Sequence, residues 1–307
     1  MPAALEQAID GATRFCAVLG HPVKHSASPA MQNAGIAALG LNWRYLALDV
    51  HPDDLRPAIA GAKAMKFVGL NLTVPHKVLA MDMLDALDES ARTWGAVNTI
   101  RFEARDSDGQ WAPIHQTSVA ATNEIRADGF NTDADAVVRA LHEDLNVALA
   151  GARVVVLGVG GAGQVAALRL AVEKPSDLFL VDSVKTKAEA VAQEIHKRHP
   201  HVRVAVGFPK GAVDLLLHAT PLGWKADDPS PLADAPFSLE QARAVYDMVY
   251  RPAETPLLKE AKAAGCRIAN GLGMLLYQGA KALEIWTGMP APIEIMRRAL
   301  ERNVYGT

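Results

Sequence analysis

The stretch NLTVPHK, Asn71 to Lys77, ends an apolar run with an amide, a hydroxyl and an amine. Burying such groups unpaired is costly, so at the end of a strand they call for partners or a ligand. In an extended strand Asn71 and Thr73 share one face. Pro75 ends the hydrogen-bonding ladder, and the carboxyl ends of strands are where open α/β sheets place ligands. Lys77 then stands at that mouth. These residues alone leave two readings open: a ligand-facing edge, or side chains that satisfy loop backbone beside a solvated lysine.

A second constellation lies in ARVVVLGVGGAG. Gly158, Gly160 and Gly163, with Gly161 and Ala162 between them, have G-x-G-x-x-G spacing directly after an apolar strand and at the start of a small-residue helix. Glycines there allow a tight turn and close backbone approach, and a helix N-terminus offers free N–H groups to a pyrophosphate. Asp182 closes the next strand, DLFLVD, where a carboxylate accepts hydrogen bonds from an adenosine ribose and repels a 2′-phosphate. NAD is favoured on that ground, while Lys185 and Lys187 nearby leave NADP open. The alternative for Asp182 is a cap on the following helix.

The remaining polar candidates are scattered: Ser26 and Ser28 in HSASP, Asn98 in AVNT, Asp133 in FNTD and Gln278 in GLGMLLYQ. Singly, each is a common cap or turn residue. Together they suit a small polyhydroxylated acid, which needs hydroxyls, amides and a charge pair from several loops. No metal site is expected. His21 and His25 share a loop, HKRHPH reads as a polar helix end, and no HExxH pattern occurs.

The elements that must position these groups alternate. Strands are predicted over 15–20, 43–50 and 67–74, with helices over 29–39, over 53–65 with a break near Pro57, and over 76–87. A hairpin is predicted around RDSDGQ, a helix over 133–149, and strands at DLFLVD, VRVAVG, VDLLLHAT, AVYDMVY and CRIANG. Both halves therefore read as parallel α/β sheets. A chain of 307 residues is long for one core. The expected division is 1–132, with 275–307 packing back on it, and 133–274. With 31 basic against 34 acidic residues the net charge of −3 recruits neither nucleic acid nor an anionic membrane. The two cysteines lack metal-type spacing. No targeting segment or 18-residue apolar run is read, and a cytoplasmic monomer or homodimer is expected.

In order, HSASPAMQN, GLNLTVPHK, GAVNT, GFNTD, GVGGAG, HATPLGW, YDMVYRPAETPLL and NGLGMLLYQGA resemble the blocks of the shikimate dehydrogenase family. The resemblance implies an N-terminal α/β substrate domain, a Rossmann-type NAD(P)-binding domain, C-terminal helices returning to the first, and reversible reduction of 3-dehydroshikimate to shikimate in aromatic amino-acid biosynthesis. It implies that Ser26 and Ser28 hold the substrate carboxylate, that Asn71, Asn98, Asp133 and Gln278 hold ring hydroxyls with Thr73 and Tyr250 nearby, and that Lys77 and Asp133 form the catalytic pair. Thr220 and Gly271 join the glycine turn as cofactor contacts. Where NADP-using members carry NRT after the second Rossmann strand, this chain reads DSV, which resembles the NAD-using branch, some of whose members also oxidise quinate. Ser28, where quinate-favouring members often carry Thr, weighs against quinate. A non-catalytic sensor of a shikimate-type ligand is the rival of a different class, against which stand both Lys77 and Asp133.

Overall fold

The structure, a computed structural model, describes residues 9–117, 124–225 and 228–306. The chain divides into two compact units, Met1–Thr132 with Gln278–Thr307, and Asp133–Tyr277.

The first unit runs β1 (Arg14–Gly20), α1 (Ser28–Ala38), β2 (Trp43–Asp49), α2 (Leu55–Ala64), β3 (Gly69–Leu72), the single turn α3 (His76–Leu79), β4 (Ala86–Leu87), α4 (Glu89–Trp94), β5 (Thr99–Arg105), β6 (Trp111–Pro113) and β7 (Ile125–Phe130). Its sheet has the order β2-β1-β3-β5-β7-β4, with β6 paired to β5. β1 is parallel to β2 and β3, whereas β5 is antiparallel to both β3 and β7. The sheet is mixed, not parallel as the alternation of the first half suggests. The strand that changes it is β5, running antiparallel between β3 and β7, and its partner β7 has the sequence IRADGF, with Asp and Gly in place of strong strand formers. Pairing along β5 specifies it, which local propensity does not reveal. The hairpin partner predicted over 110–119 is the short β6; positions 118 and 119 lie outside the described residues.

Other expectations change for local reasons. α2 runs unbroken through Pro57, which falls in the first turn, where a missing N–H removes no intrahelical bond. The helix expected over 76–87 stops after α3 and a 3-10 turn at Ala80–Asp82. Beyond it, the Asp85 carboxylate accepts the Ala127 N–H at 2.7 Å, and the Asp85 N–H donates to the Ala127 carbonyl at 3.1 Å, which draws the chain into the sheet as β4.

The second unit runs α5 (Asp133–Leu145), β8 (Arg153–Leu157), α6 (Gly161–Val172), β9 (Asp177–Val181), α7 (Lys185–Arg198), β10 (Arg203–Val206), β11 (Leu215–His218), β12 (Ala244–Asp247), α8 (Pro256–Ala263) and β13 (Arg267–Asn270). α5 ends before the predicted position 149 because Asn146 turns to φ +48°, a left-handed conformation that Asn tolerates. The six strands are all parallel in the order β10-β9-β8-β11-β12-β13, the doubly wound arrangement. Val154, Val155 and Val156, like Leu215, Leu216 and Leu217, are fully buried, as runs in a sheet covered on both faces must be.

α9 (Leu272–Thr287) follows, its residues from Gln278 onward belonging to the first unit, and then α10 (Ile293–Tyr305). Trp286 anchors this return: its buried indole Nε1 donates to the Ile100 carbonyl at 2.9 Å. Gly69 makes the room, since a Cβ there would lie 2.1 Å from Nε1 and 2.5 Å from the Ile100 oxygen. Gly69→Ala should lower unfolding stability by about 1–3 kcal/mol through overpacking. A denaturant midpoint equal to that of the wild type would show that Trp286 yields without cost.

Candidate active site

Because β5 runs antiparallel between β3 and β7, its first residues lie beside the last residues of both, with Asn71 opposite Thr99 and Thr99 opposite Phe130. Three sequence-distant blocks thereby meet at one edge. Asn71, 6% exposed, donates its amide hydrogens to the Asn98 carbonyl at 3.1 Å and to Thr99 Oγ1 at 3.0 Å. Asn98, 1% exposed, accepts the Thr132 N–H at 2.8 Å and donates to Thr132 Oγ1 at 2.9 Å and to Gln278 Oε1 at 3.4 Å. The Thr132 hydroxyl reaches the Gln278 carbonyl at 3.1 Å. With both its hydrogens committed, Asn71 can face a ligand only through its remaining oxygen lone pair.

The sequence reading misses Tyr45, which completes this network. Its hydroxyl donates to Asn71 Oδ1 at 2.8 Å and is also hydrogen-bonded by Ser28. Tyr45 sits on β2 opposite Cys16 of β1, which in turn faces Gly69 of β3, so the phenol spans the intervening strand to reach Asn71. Burial raises its pKa well above the usual phenol range, which keeps the donor proton in place. The available signal was a tyrosine at an inward position of an apolar strand, since a buried Tyr hydroxyl needs a partner. Ser26 joins from the loop, its Oγ accepting the Ser28 N–H at 3.3 Å.

Thr73 lies one residue past β3, so strand alternation does not extend to it. Its methyl fills the space beside Gly20, where a Cβ would approach to 2.4 Å. Lys77, half-buried in α3, is held through its main chain, its carbonyl accepting the Val97 N–H at 2.8 Å. Its neighbour His76 is buried, with Nε2 2.9 Å from the Val50 carbonyl, and desolvation lowers its pKa. α3 is thus pinned on both sides of the Lys77 side chain.

In the second unit, Asp133 is the buried first residue of α5. Gly158 takes φ +91°, and a Cβ on Gly163 would lie 2.0 Å from the Gly158 carbonyl, so both positions require glycine. Gly160 and Gly161 face open space, and α6 begins at Gly161 with no side-chain cap on its first N–H groups. An uncapped helix start of this kind offers its N–H groups to an anion. Asp182 braces the turn: one carboxylate oxygen accepts the Val159 N–H and the other the Val184 N–H, both at 2.9 Å. Val184 is the residue that precedes α7, so Asp182 also steadies the approach to that helix without capping its first turn. Thr220 packs on Gly158, and Gly271 lies against the Met248 carbonyl, which a Cβ would approach to 2.0 Å. Tyr250 stands edge-on to Trp224, with ring centroids 6.3 Å apart. Among the described residues no group of three or more His, Cys, Asp or Glu is placed to hold a metal, and no helix is long and apolar enough to cross a membrane.

Comparison with known proteins gives two matching family models, the shikimate dehydrogenase substrate binding domain over residues 18–100 and the shikimate 5′-dehydrogenase C-terminal domain over residues 271–301. The shikimate dehydrogenase (NADP+) of Methanopyrus kandleri is 39% identical over 95% of this chain and 96% of its own. A crystal structure of a shikimate dehydrogenase in complex with NADP+ superimposes with a TM-score of 0.83 at 35% identity, covering 98% of this chain and 99% of that one. The shikimate 5-dehydrogenase of Listeria monocytogenes, in complex with shikimate and NAD, gives 0.78 at 29% identity, over 95% and 98%.

Tyr45→Phe keeps the ring but leaves Asn71 Oδ1 without its donor. It should cost about 1–3 kcal/mol of stability, read from denaturant unfolding; no loss would mean that Asn71 re-pairs by itself.

Proposed function

The chain belongs to the shikimate dehydrogenase family, and on that premise we propose that it catalyses the reversible NAD(P)-dependent reduction of 3-dehydroshikimate to shikimate, a step of the shikimate pathway. The observation that carries this reading is the convergence of Asn71, Asn98 and Gln278 from separate blocks onto one buried, hydrogen-bonded edge. Such an edge holds its polar atoms at fixed positions, as recognition of several ring hydroxyls requires. Ser26 and Ser28 would take the carboxylate, with Thr73 and Tyr250 contributing further contacts. The unit Asp133–Tyr277 would be the dinucleotide-binding domain and the remainder the substrate domain.

When bound, the nicotinamide supplies the hydride. This chain's part is placement and charge. Gly158 to Gly163, with Ala162, Thr220 and Gly271, would hold the dinucleotide, and the α6 N-terminus would face its pyrophosphate. Lys77 would meet the negative charge growing on the carbonyl oxygen and deliver a proton to it, with Asp133 as its catalytic partner. Fixing the α3 backbone through Val97 and His76 sets the point from which the Lys77 side chain extends, which reduces the reorganisation that electrostatic stabilisation would otherwise cost.

Cofactor preference is where the chain's own residues and the names of its relatives pull apart. The relative from Methanopyrus kandleri is named for NADP+. Here Asp182 stands at the end of β9 and no arginine follows it in SVKTK; Lys185 is paired to Glu189 at 3.4 Å, and Lys187 is exposed. A carboxylate at this position repels a 2′-phosphate, so NAD is the proposed preference.

Steady-state rates with shikimate and quinate, each with NAD and NADP, test the whole reading. Shikimate oxidation should exceed quinate oxidation; no turnover despite shikimate binding would favour a sensor. Lys77→Ala should cut kcat about 10²–10⁴-fold with a smaller change in KM, and a near-normal kcat would remove its role. A higher kcat/KM with NADP than with NAD would overturn the Asp182 argument. Asp182→Ala should shift the ratio toward NADP at least about tenfold, equivalent to about 1.4 kcal/mol of repulsion removed.

A further inference from the structure

Below the glycine turn lies a buried polar group of His218, Asp247 and Thr255 that none of the assignments above uses. His218 ends β11 and pairs in register with Asp247 at the end of β12; both are 0% exposed, as is Thr255. The Asp247 carboxylate accepts the Val249 N–H at 2.9 Å and the Thr255 hydroxyl at 2.6 Å, and faces His218 Nδ1 at 2.8 Å. Thr255 is itself fixed as the N-cap of α8. A carboxylate only accepts, so Nδ1 carries a hydrogen, and Nε2 is left to pair on the other side of the ring. The group that Nε2 meets is the Thr220 hydroxyl. That pair fixes the Thr220 hydroxyl, whose oxygen also accepts the Leu222 N–H at 3.3 Å. With the hydroxyl held on that side, the Thr220 methyl is directed at the turn: a Cβ on Gly158 would lie 2.7 Å from it.

We propose that His218 and Asp247 are positioning residues for the dinucleotide, acting through Thr220, whose methyl they lock against Gly158 as the floor of the nucleotide turn. The proposal rests on the reading that a dinucleotide binds at Gly158 to Gly163. The order of action is Asp247, which orients the imidazole, then His218, which sets the Thr220 rotamer, then Thr220, which sets the turn. A pair that merely tied β11 to β12 would act on stability and leave the dinucleotide affinity of the folded protein unchanged.

The test is a double-mutant cycle on the full chain, with His218→Leu, Thr220→Val and the double variant titrated with NAD and with NADP in the absence of substrate. Thr220→Val keeps the shape and removes the hydroxyl. Each single change is expected to weaken dinucleotide binding about tenfold, the scale of a buried group left unpaired, with the KM for shikimate moving less than about twofold. The double variant is expected to bind no more than about twofold more weakly than the worse single one, because His218 has nothing to act on once the hydroxyl is gone. Additive losses, or single variants with wild-type affinity, would overturn the relay. Where His218→Leu does not fold, Thr220→Val carries the test alone, and unchanged affinity in it is sufficient to reject the idea. Wild-type protein that binds neither dinucleotide would overturn the dinucleotide reading together with this one; wild-type binding with unaffected variants overturns this one only.

Discussion

A buried amide must find a partner for each of its hydrogens, and much of the first unit is arranged around two amides that do. Asn71 and Asn98 sit where three strand ends meet, and between them they engage Tyr45, Thr99, Thr132 and Gln278. If any one of these partners is removed, a polar group is stranded in a low-dielectric interior, at a cost comparable to a sizeable share of a domain's net stability. The same bonds that prevent this also fix the positions of the atoms left to face a ligand. On the proposed reading, stability and recognition here have one cause.

The second unit applies the rule to backbone. A glycine turn that leaves helix N–H groups free for a ligand has few ways of holding itself in place, and its bracing comes from side chains outside it. Asp182 takes the Val159 N–H from one side, and Thr220 packs on Gly158 from another. Thr220 in turn depends on His218 and Asp247, which are buried among apolar strands and fully hydrogen-bonded. The open face of the turn is thus kept free for a ligand while its other faces are occupied.

The stretch 103–128, for which the sequence suggests no function, has a structural account over its described residues. Glu103, 2% exposed, is paired with Arg101 at 2.5 Å and with Arg126 at 2.6 Å, and Arg126 lies over the Trp111 ring at 4.8 Å. Asp128 faces the same group, and burial together with the nearby Glu103 raises its pKa. These ion pairs and the ring contact lock β5, β6 and β7 together, and the register of β5 and β7 is what delivers Asn98 and Thr132 to the edge with Asn71.

Local chemistry made much of this legible in the chain itself. The glycine turn was readable because only glycine tolerates φ +91° at Gly158 or the 2.0 Å approach at Gly163, and the apolar runs of the second unit were readable because a sheet covered on both faces demands them. The polar end of β3 was visible as an oddity, an amide closing an apolar strand. What the tertiary structure alone decided was which groups that amide meets. The antiparallel insertion of β5, the strand β7 with its weak propensity, and the reach of Tyr45 across β1 all depend on pairing between distant segments. Pairing of this kind is set by the packing of the whole sheet, and no local pattern of residues encodes it.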